Sequence, residues 1–422
     1  MRLLHIALCL LIALPGSILA SFASADDEVQ PFSFRGFGTL GYVHSDEPEH
    51  GFSRDLSQAH REGLAEHMAP DSRLGLQFNY RLNPELEFVA QLVARTQVDN
   101  SIPHSVDWAF VAYRPLPGLD IRLGRIGLDI FMLSDYRNVG YAYPWVRPPM
   151  EFYGWLPTYS FDGADIAYNL DDDGRWRVKV FGGRSVTRTK NSIDDSEVFR
   201  AVFDPMAGVS LAYDSSPWRA KISYAELRFA SQPPLGQLTD ALALVGAAQI
   251  PGISADALRL RNDATIEGAH SRYLAAGIAY DDNAWLLQAE YSHLDGGPPL
   301  VPQGWRAYAS AGYRIGAFTP YGLLGWARPK GDAIASALDW SALGTQAALL
   351  QAGALLAVNA PCIDQRSASL GVRWDFSNTA DLKLQWDRSS VSGGGWGLWP
   401  EGGNPPRGDT VDLLTATLDW MF

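Results

Sequence analysis

Apolar and polar residues alternate with period two over most of the chain, the pattern of a β-strand whose two faces meet different surroundings. Between Asp381 and Asp387, Leu382, Leu384 and Trp386 share one face, while Asp381, Lys383, Gln385 and Asp387 share the other. Trp176, Val178 and Val180 interleave with Arg175, Arg177 and Lys179, and Leu74, Leu76, Phe78 and Tyr80 with Arg73, Gly75, Gln77 and Asn79. The alternation predicts strands near 34–43, 72–81, 85–95, 105–114, 119–126, 161–170, 174–184 and 207–214. It continues near 217–228, 271–281, 284–294, 304–314, 317–328, 366–376, 379–389 and 410–422, about sixteen segments in all.

The connections between these segments are sorted by length. Short turns fall at 81–84, 115–118, 171–174, 214–217, 281–283, 315–316 and 376–378, rich in the Gly, Pro, Asn and Asp that tight hairpins require. Every other connection is long: 44–71, 96–104, 127–160, 185–206, 229–270, 295–303, 329–365 and 390–409. A transmembrane antiparallel barrel has this asymmetry, with short periplasmic turns and long extracellular loops. A soluble sandwich would need one core to collect the apolar faces of all these strands, whereas lipid accepts them facing outward. In hydrocarbon every backbone donor and acceptor must pair within the protein, so the sheet must close. Tyr80, Trp176, Trp218, Tyr280, Trp285, Trp305, Tyr313 and Trp374 stand near strand ends, where an interfacial aromatic girdle would lie.

Composition agrees with this reading. The 422 residues are 47% apolar and carry a net charge of −13, which argues against a nucleic-acid partner. Residues 1–25 read as an export signal, with Arg2, an apolar run from Leu3 to Leu14 and a small-residue site at Ala23-Ser24-Ala25 before Asp26. Residues 26–422 then form a single barrel domain with one cysteine, Cys362, so no intrachain disulfide is expected. The longest apolar stretch after the signal, Ala347 to Val358, is too short for a membrane-spanning helix. Segments 237–262 and 331–358 carry partial helical spacing and suit short helices at the mouth.

The last strand places Leu414, Ala416, Leu418, Trp420 and Phe422 on one apolar face and stops on an aromatic. Together with FSFRGFGTLGYV (32–43), DSRLGLQ (71–77), RLGR (122–125), SLGVRWDF (369–376) and DLKLQWDR (381–388), it makes the chain resemble a Gram-negative outer-membrane porin of about sixteen strands. The resemblance implies an outer-membrane location, passive diffusion of small hydrophilic solutes, and a third loop, here 127–160, folded into the pore. It also implies a barrel commonly trimeric, and a C-terminal strand ending at Phe422 that the barrel-assembly machinery recognises. No cofactor is implied.

Turning each polar face inward gives a lumen lined by Arg73, Arg95, Arg122, Arg175, Arg177, Lys179, Arg219, Lys221, Arg306, Arg314, Arg373 and Lys383. The acids on the same faces are Glu87, Asp120, Asp165, Glu290, Asp381, Asp387 and Asp419. This net basic wall predicts a preference for anionic solutes, although a register error of one residue would turn a whole strand over. In the third loop Arg125, Arg137 and Arg147 stand beside Asp129, Asp135 and Glu151. Such opposed charges either set a transverse field across a constriction or pin the loop to the wall. Tyr136, Tyr141, Tyr143, Trp145, Phe152, Tyr153 and Trp155 either stack solutes or pack the loop. His44, His50, His60 and His67 lie among acids in the first long loop, at no spacing diagnostic of a metal site. An outer-membrane hydrolase or a structural, adhesin-type barrel are the alternative functions. The first lacks a motif around His104, His270 or His293.

Overall fold

A computed structural model describes residues 31–47, 52–58, 65–156, 158–190, 198–392 and 410–422. The proposed export signal lies outside these residues, as do His50 and His60. Sixteen long antiparallel strands close into one barrel. They are β1 (Phe32–Ser45), β2 (Arg73–Arg81), β3 (Leu86–Arg95), β4 (Val106–Leu116), β5 (Leu119–Gly127), β6 (Ser160–Asn169), β7 (Trp176–Lys190) and β8 (Val198–Ser215). The second half comprises β9 (Trp218–Phe229), β10 (His270–Asp281), β11 (Trp285–Asp295), β12 (Gly304–Tyr313), β13 (Phe318–Pro329), β14 (Gln365–Ser377), β15 (Ala380–Val391) and β16 (Thr410–Met421). A two-residue strand, Glu66–His67, pairs with the far end of β1.

The barrel closes where β1 meets β16, in register from Phe37 opposite Met421 to Ser45 opposite Leu413. The terminal residue extends this ladder: Phe422 donates its N–H to Gly36 O at 2.9 Å, and Gly36 donates to Phe422 O at 2.8 Å. Outward glycines on β1 make room for the last aromatic rings, since a Cβ at Gly36 or Gly38 would overlap the ring of Phe422 or Trp420. The short turns sit together at one end of the barrel, with Gly118 and Asn283 at positive φ, as tight hairpins demand.

Outside, the alternation gives the lipid face. Leu123, Ile166, Val180, Leu370 and Leu414 are more than half exposed. At the short-turn end, rings meet across neighbouring strands: Trp176 with Tyr213 at 4.8 Å, Trp218 with Tyr280 at 4.8 Å and Trp285 with Tyr313 at 4.9 Å. This is the aromatic girdle that the sequence suggests. Two elements run beyond the segments that the alternation predicts, on the long-loop side. β7 and β8 are 15 and 18 residues long and extend well past the predicted 174–184 and 207–214. The register shifts near Pro205, and that break in the alternation hides the continuation of β8 in the sequence.

The long connections carry the helices: α1 (Ile102–Ser105), α2 (Met150–Tyr153), α3 (Gly236–Ala247), α4 (Ile253–Asp263) and α5 (Thr345–Asn359). α3, α4 and α5 pack on one another through Leu242, Ala257, Leu260, Trp340, Ala354 and Val358, a small apolar core separate from the one inside the barrel. The larger core lies between the barrel wall and the loop joining β5 to β6.

Candidate functional site

The loop 128–159 enters the barrel because its side chains are those of an interior, not of a surface. Leu128, Ile130, Phe131, Leu133, Trp145, Phe152 and Trp155 are all at most 5% exposed. Phe131 meets Phe152 at 5.6 Å and Tyr273 of β10 at 5.9 Å, and Trp145 meets Tyr308 of β12 edge-on at 5.8 Å. Of the aromatic cluster read from the sequence, Tyr143, Trp145, Phe152, Tyr153 and Trp155 are therefore packing groups. Tyr141 lies at the edge, donating to Asn378 O at 2.9 Å beneath the Arg373 guanidinium. Tyr136 is only half buried.

Polar side chains anchor this loop on opposite sides of the wall. On one side Asp129 pairs with Lys179 at 2.7 Å, with Lys221, and with Ser210 at 3.0 Å. Burial works against its charged form, and the two ammonium groups outweigh it, holding the carboxyl below the usual range. On the other side Arg147 bonds Asp71 and Asp387, both at 2.7 Å, and Thr415 at 2.6 Å. Glu151 accepts from Gln365 at 2.7 Å, and burial pushes its carboxyl up. Glu290 of β11 takes the N–H of Met132 at 2.8 Å, the hydroxyl of Tyr308 at 2.7 Å and that of Tyr153. Lys383 donates to Gly140 O at 2.6 Å and pairs with Asp419 at 3.1 Å, and Arg373 donates to Tyr141 O at 2.7 Å. Gly140 allows this approach, since a Cβ there would overlap the Asp419 carboxylate.

Most lumen residues expected from the sequence do face inward, but few carry free charge. Arg95 pairs with Asp107 at 3.1 Å, Arg122 with Asp165, Arg177 with Asp120, and Arg373 with Asp381 at 3.1 Å. Arg314 pairs with Asp281 at 2.6 Å, and Arg73 donates to the Tyr143 hydroxyl at 3.0 Å. Arg137 is buried and donates to Tyr153 O at 3.2 Å. Arg219 faces Tyr136 and has no ion pair among the described residues. Arg306 is buried with its guanidinium over Trp155.

Two placements differ from expectation. Arg125 is not a loop residue: it stands on β5, on the same outward face as Leu123, and pairs with Asp162 at 2.8 Å. Arg175 lies at the short-turn mouth, held by Asp171 at 2.9 Å and Asp173 at 3.1 Å, so local acids neutralise it.

Sequence reasoning missed Asp71, Asp107 and Arg114 as inward groups. Asp71 belongs to a stretch that reads as polar loop. Asp107 falls on the wrong parity, because a bulge opposite Gln91 and Leu92 turns it inward. Arg114 lies at a predicted strand end, and bridges Glu87 at 2.8 Å to Asp120 at 2.6 Å. Glu87, Arg114, Asp120 and Arg177 thus form a chain of alternating charge from β3 to β7, on the short-turn side of the loop. The exposed loop carboxylate is Asp135, within electrostatic reach of Arg122 and beside Tyr136.

A family model for Gram-negative porins matches residues 7–319. Among solved structures, the barrel is similar to the anion-selective porin of Comamonas acidovorans, with 13% identity over 93% of this chain and 99% of that one, at a TM-score of 0.51. It is similar also to OmpF of Salmonella typhi, solved in complex with daunomycin, with 14% identity over 93% of this chain and 97% of that one, at a TM-score of 0.52. At such identities the likeness is one of fold. No protein of curated function matches in sequence. The chain belongs to the Gram-negative porins, outer-membrane barrels that form passive-diffusion channels for small solutes.

Proposed function

We propose that solutes pass between the wall and the exposed edge of the inward loop, where Asp135 and Tyr136 face Arg122 and Arg219, and that the channel prefers anions modestly. Arg219 carries this reading, because it is a lumen-facing guanidinium without an ion pair among the described residues. Pairing of most other basic lumen residues with carboxylates argues for weak rather than strong selectivity. Single-channel recording under a salt gradient tests it. A cation-directed reversal potential would overturn the preference, and a closed membrane would overturn the channel.

The barrel is read as non-catalytic. Asp99 and Ser101 do meet His104, but both at Nδ1, so the imidazole cannot relay a proton from the hydroxyl toward the carboxylate. Turnover of lipid or peptide by the pure protein would contradict this. We further propose assembly as a homotrimer, with outer-membrane lipid around it and the C-terminal strand read by the assembly machinery. Cross-linking in intact membranes that yields only monomers would rule out the trimer.

A further inference from the structure

On the long-loop side of the inward loop, the wall departs from the polar lining of a water-filled lumen. Phe203, Leu227, Phe229 and Leu294 turn inward there, and with Ile130 and Trp155 of the loop they help enclose a cavity of about 260 Å³. Among the described residues no charged one lines it; Thr158, Thr187, Thr189 and Tyr273 are polar members. Close-packed interiors leave few voids larger than a water molecule, whereas a dry apolar cavity of about 150 Å³ can hold a benzene ring. The space is therefore of ligand size, with room for a ring and a substituent.

One end of this cavity is electrically unusual. Pro302 and Trp155 line it, and directly behind them lies Arg306, 1% exposed. Its Nη2 donates to Pro302 O at 2.8 Å and its guanidinium stacks 4.0 Å from the centre of the Trp155 ring. Among the described residues its Nε and Nη1 have no hydrogen-bond partner, and neither does the indole N–H of Trp155. No carboxylate forms an ion pair with it among the described residues. Three buried donors without an acceptor, one set of them cationic, are costly to leave so. An anionic group at this end of the cavity, across Trp155 and Pro302, would offset that positive charge.

We propose that the cavity is a binding chamber on the solute path for a small amphipathic acid, its apolar body against Phe203, Leu227 and Phe229 and its anionic group toward Arg306. The proposal rests on the reading of the protein as a solute channel and names a class of molecule that the channel would concentrate. Benzoate, benzyl alcohol and acetate are suitable probes: ring with charge, ring alone, charge alone. Binding is measured by calorimetry on the folded barrel in detergent, and passage by current fluctuations in a planar bilayer. Benzoate should bind more tightly than either other probe. Arg306→Met should weaken benzoate about tenfold or more while benzyl alcohol still binds, since the uncompensated positive charge behind Trp155 is lost and the apolar space is kept. Ala225→Phe, which narrows the chamber, should weaken both ring compounds. Heat-dependent gel migration confirms that each variant is a folded barrel. Failure of benzoate to bind a conducting wild-type barrel would overturn the chamber, as would binding that neither substitution changes. Benzoate binding in a protein that never conducts would instead overturn the channel reading.

Discussion

The guanidinium of Arg147 and the carboxylate of Asp71 meet at 2.7 Å, with 2% and 0% of their side chains exposed. This pair joins the tip of an inward loop to the wall in a place that water does not reach, and Asp387 completes it from the other side. Removing one member of such a buried set leaves the remaining charges uncompensated, at a cost of about 3–5 kcal/mol. Arg147→Ala should therefore release this side of the loop. We expect a larger and noisier single-channel conductance and a lower denaturation temperature of the barrel. Unchanged conductance with a lowered denaturation temperature would mean that Arg147 holds the fold without setting the aperture.

The two loop carboxylates Asp129 and Glu151 should give stability opposite pH dependences. Asp129 is held below the usual range by Lys221 and Lys179 against the effect of burial. Its contribution is full above the unfolded carboxylate value and is lost as pH falls through its lowered folded value. Glu151 is pushed up by burial, so its contribution is full below the unfolded value and is lost as pH rises through the raised folded one. Thermal unfolding between acidic and neutral pH should show Asp129→Asn destabilising most at neutral pH. Glu151→Gln should remove part of the decline on the alkaline side. A Glu151→Gln profile parallel to wild type would contradict the second assignment.

The barrel was legible in the sequence because lipid and lumen enforce a strict alternation, and because tight and long connections take turns. What the alternation could not supply was the pairing across the lumen. A polar face reads as Arg122, Arg177 or Lys383, but the carboxylates that neutralise them stand on other strands or on the loop. The sum over one face therefore overstated the free positive charge. Local irregularities misled in the same way: the bulge beside Asp107 reversed one parity, and the break near Pro205 hid half of β8. The apolar chamber was illegible for a related reason. Leu227 and Phe229 share the inward parity of Arg219 and Lys221, but a lumen read from its polar residues passes over apolar ones on the same face.

Selectivity should respond to the few charges that lack a close partner. Asp135 is exposed at the loop edge, and Arg219 faces the same region from β9. Asp135→Asn should move the reversal potential in a salt gradient toward the anion side. Arg219→Glu should move it toward the cation side, since it changes two units of charge in the aperture. Arg175→Glu, at the mouth among Asp171 and Asp173, should do far less. If Arg175→Glu had the larger effect, the mouth and not the loop edge would control selectivity.

Phe422 separates assembly from stability. Its backbone closes the ladder with Gly36, while its ring lies outward, 52% exposed and 6.1 Å from Phe34. A ring that exposed adds little to the folded barrel beyond the modest gain of one aromatic contact, about 0.5–1.5 kcal/mol. The two backbone bonds do not need the ring at all. Phe422→Ala should thus leave the denaturation temperature of purified, refolded protein nearly unchanged. It should still reduce the amount of heat-resistant barrel recovered from cell envelopes, because the outward ring is what an assembly factor could grip before the seam closes. Equal recovery of Phe422→Ala and wild type would remove the C-terminal aromatic from assembly. A large drop in denaturation temperature would make it a structural residue of the seam instead.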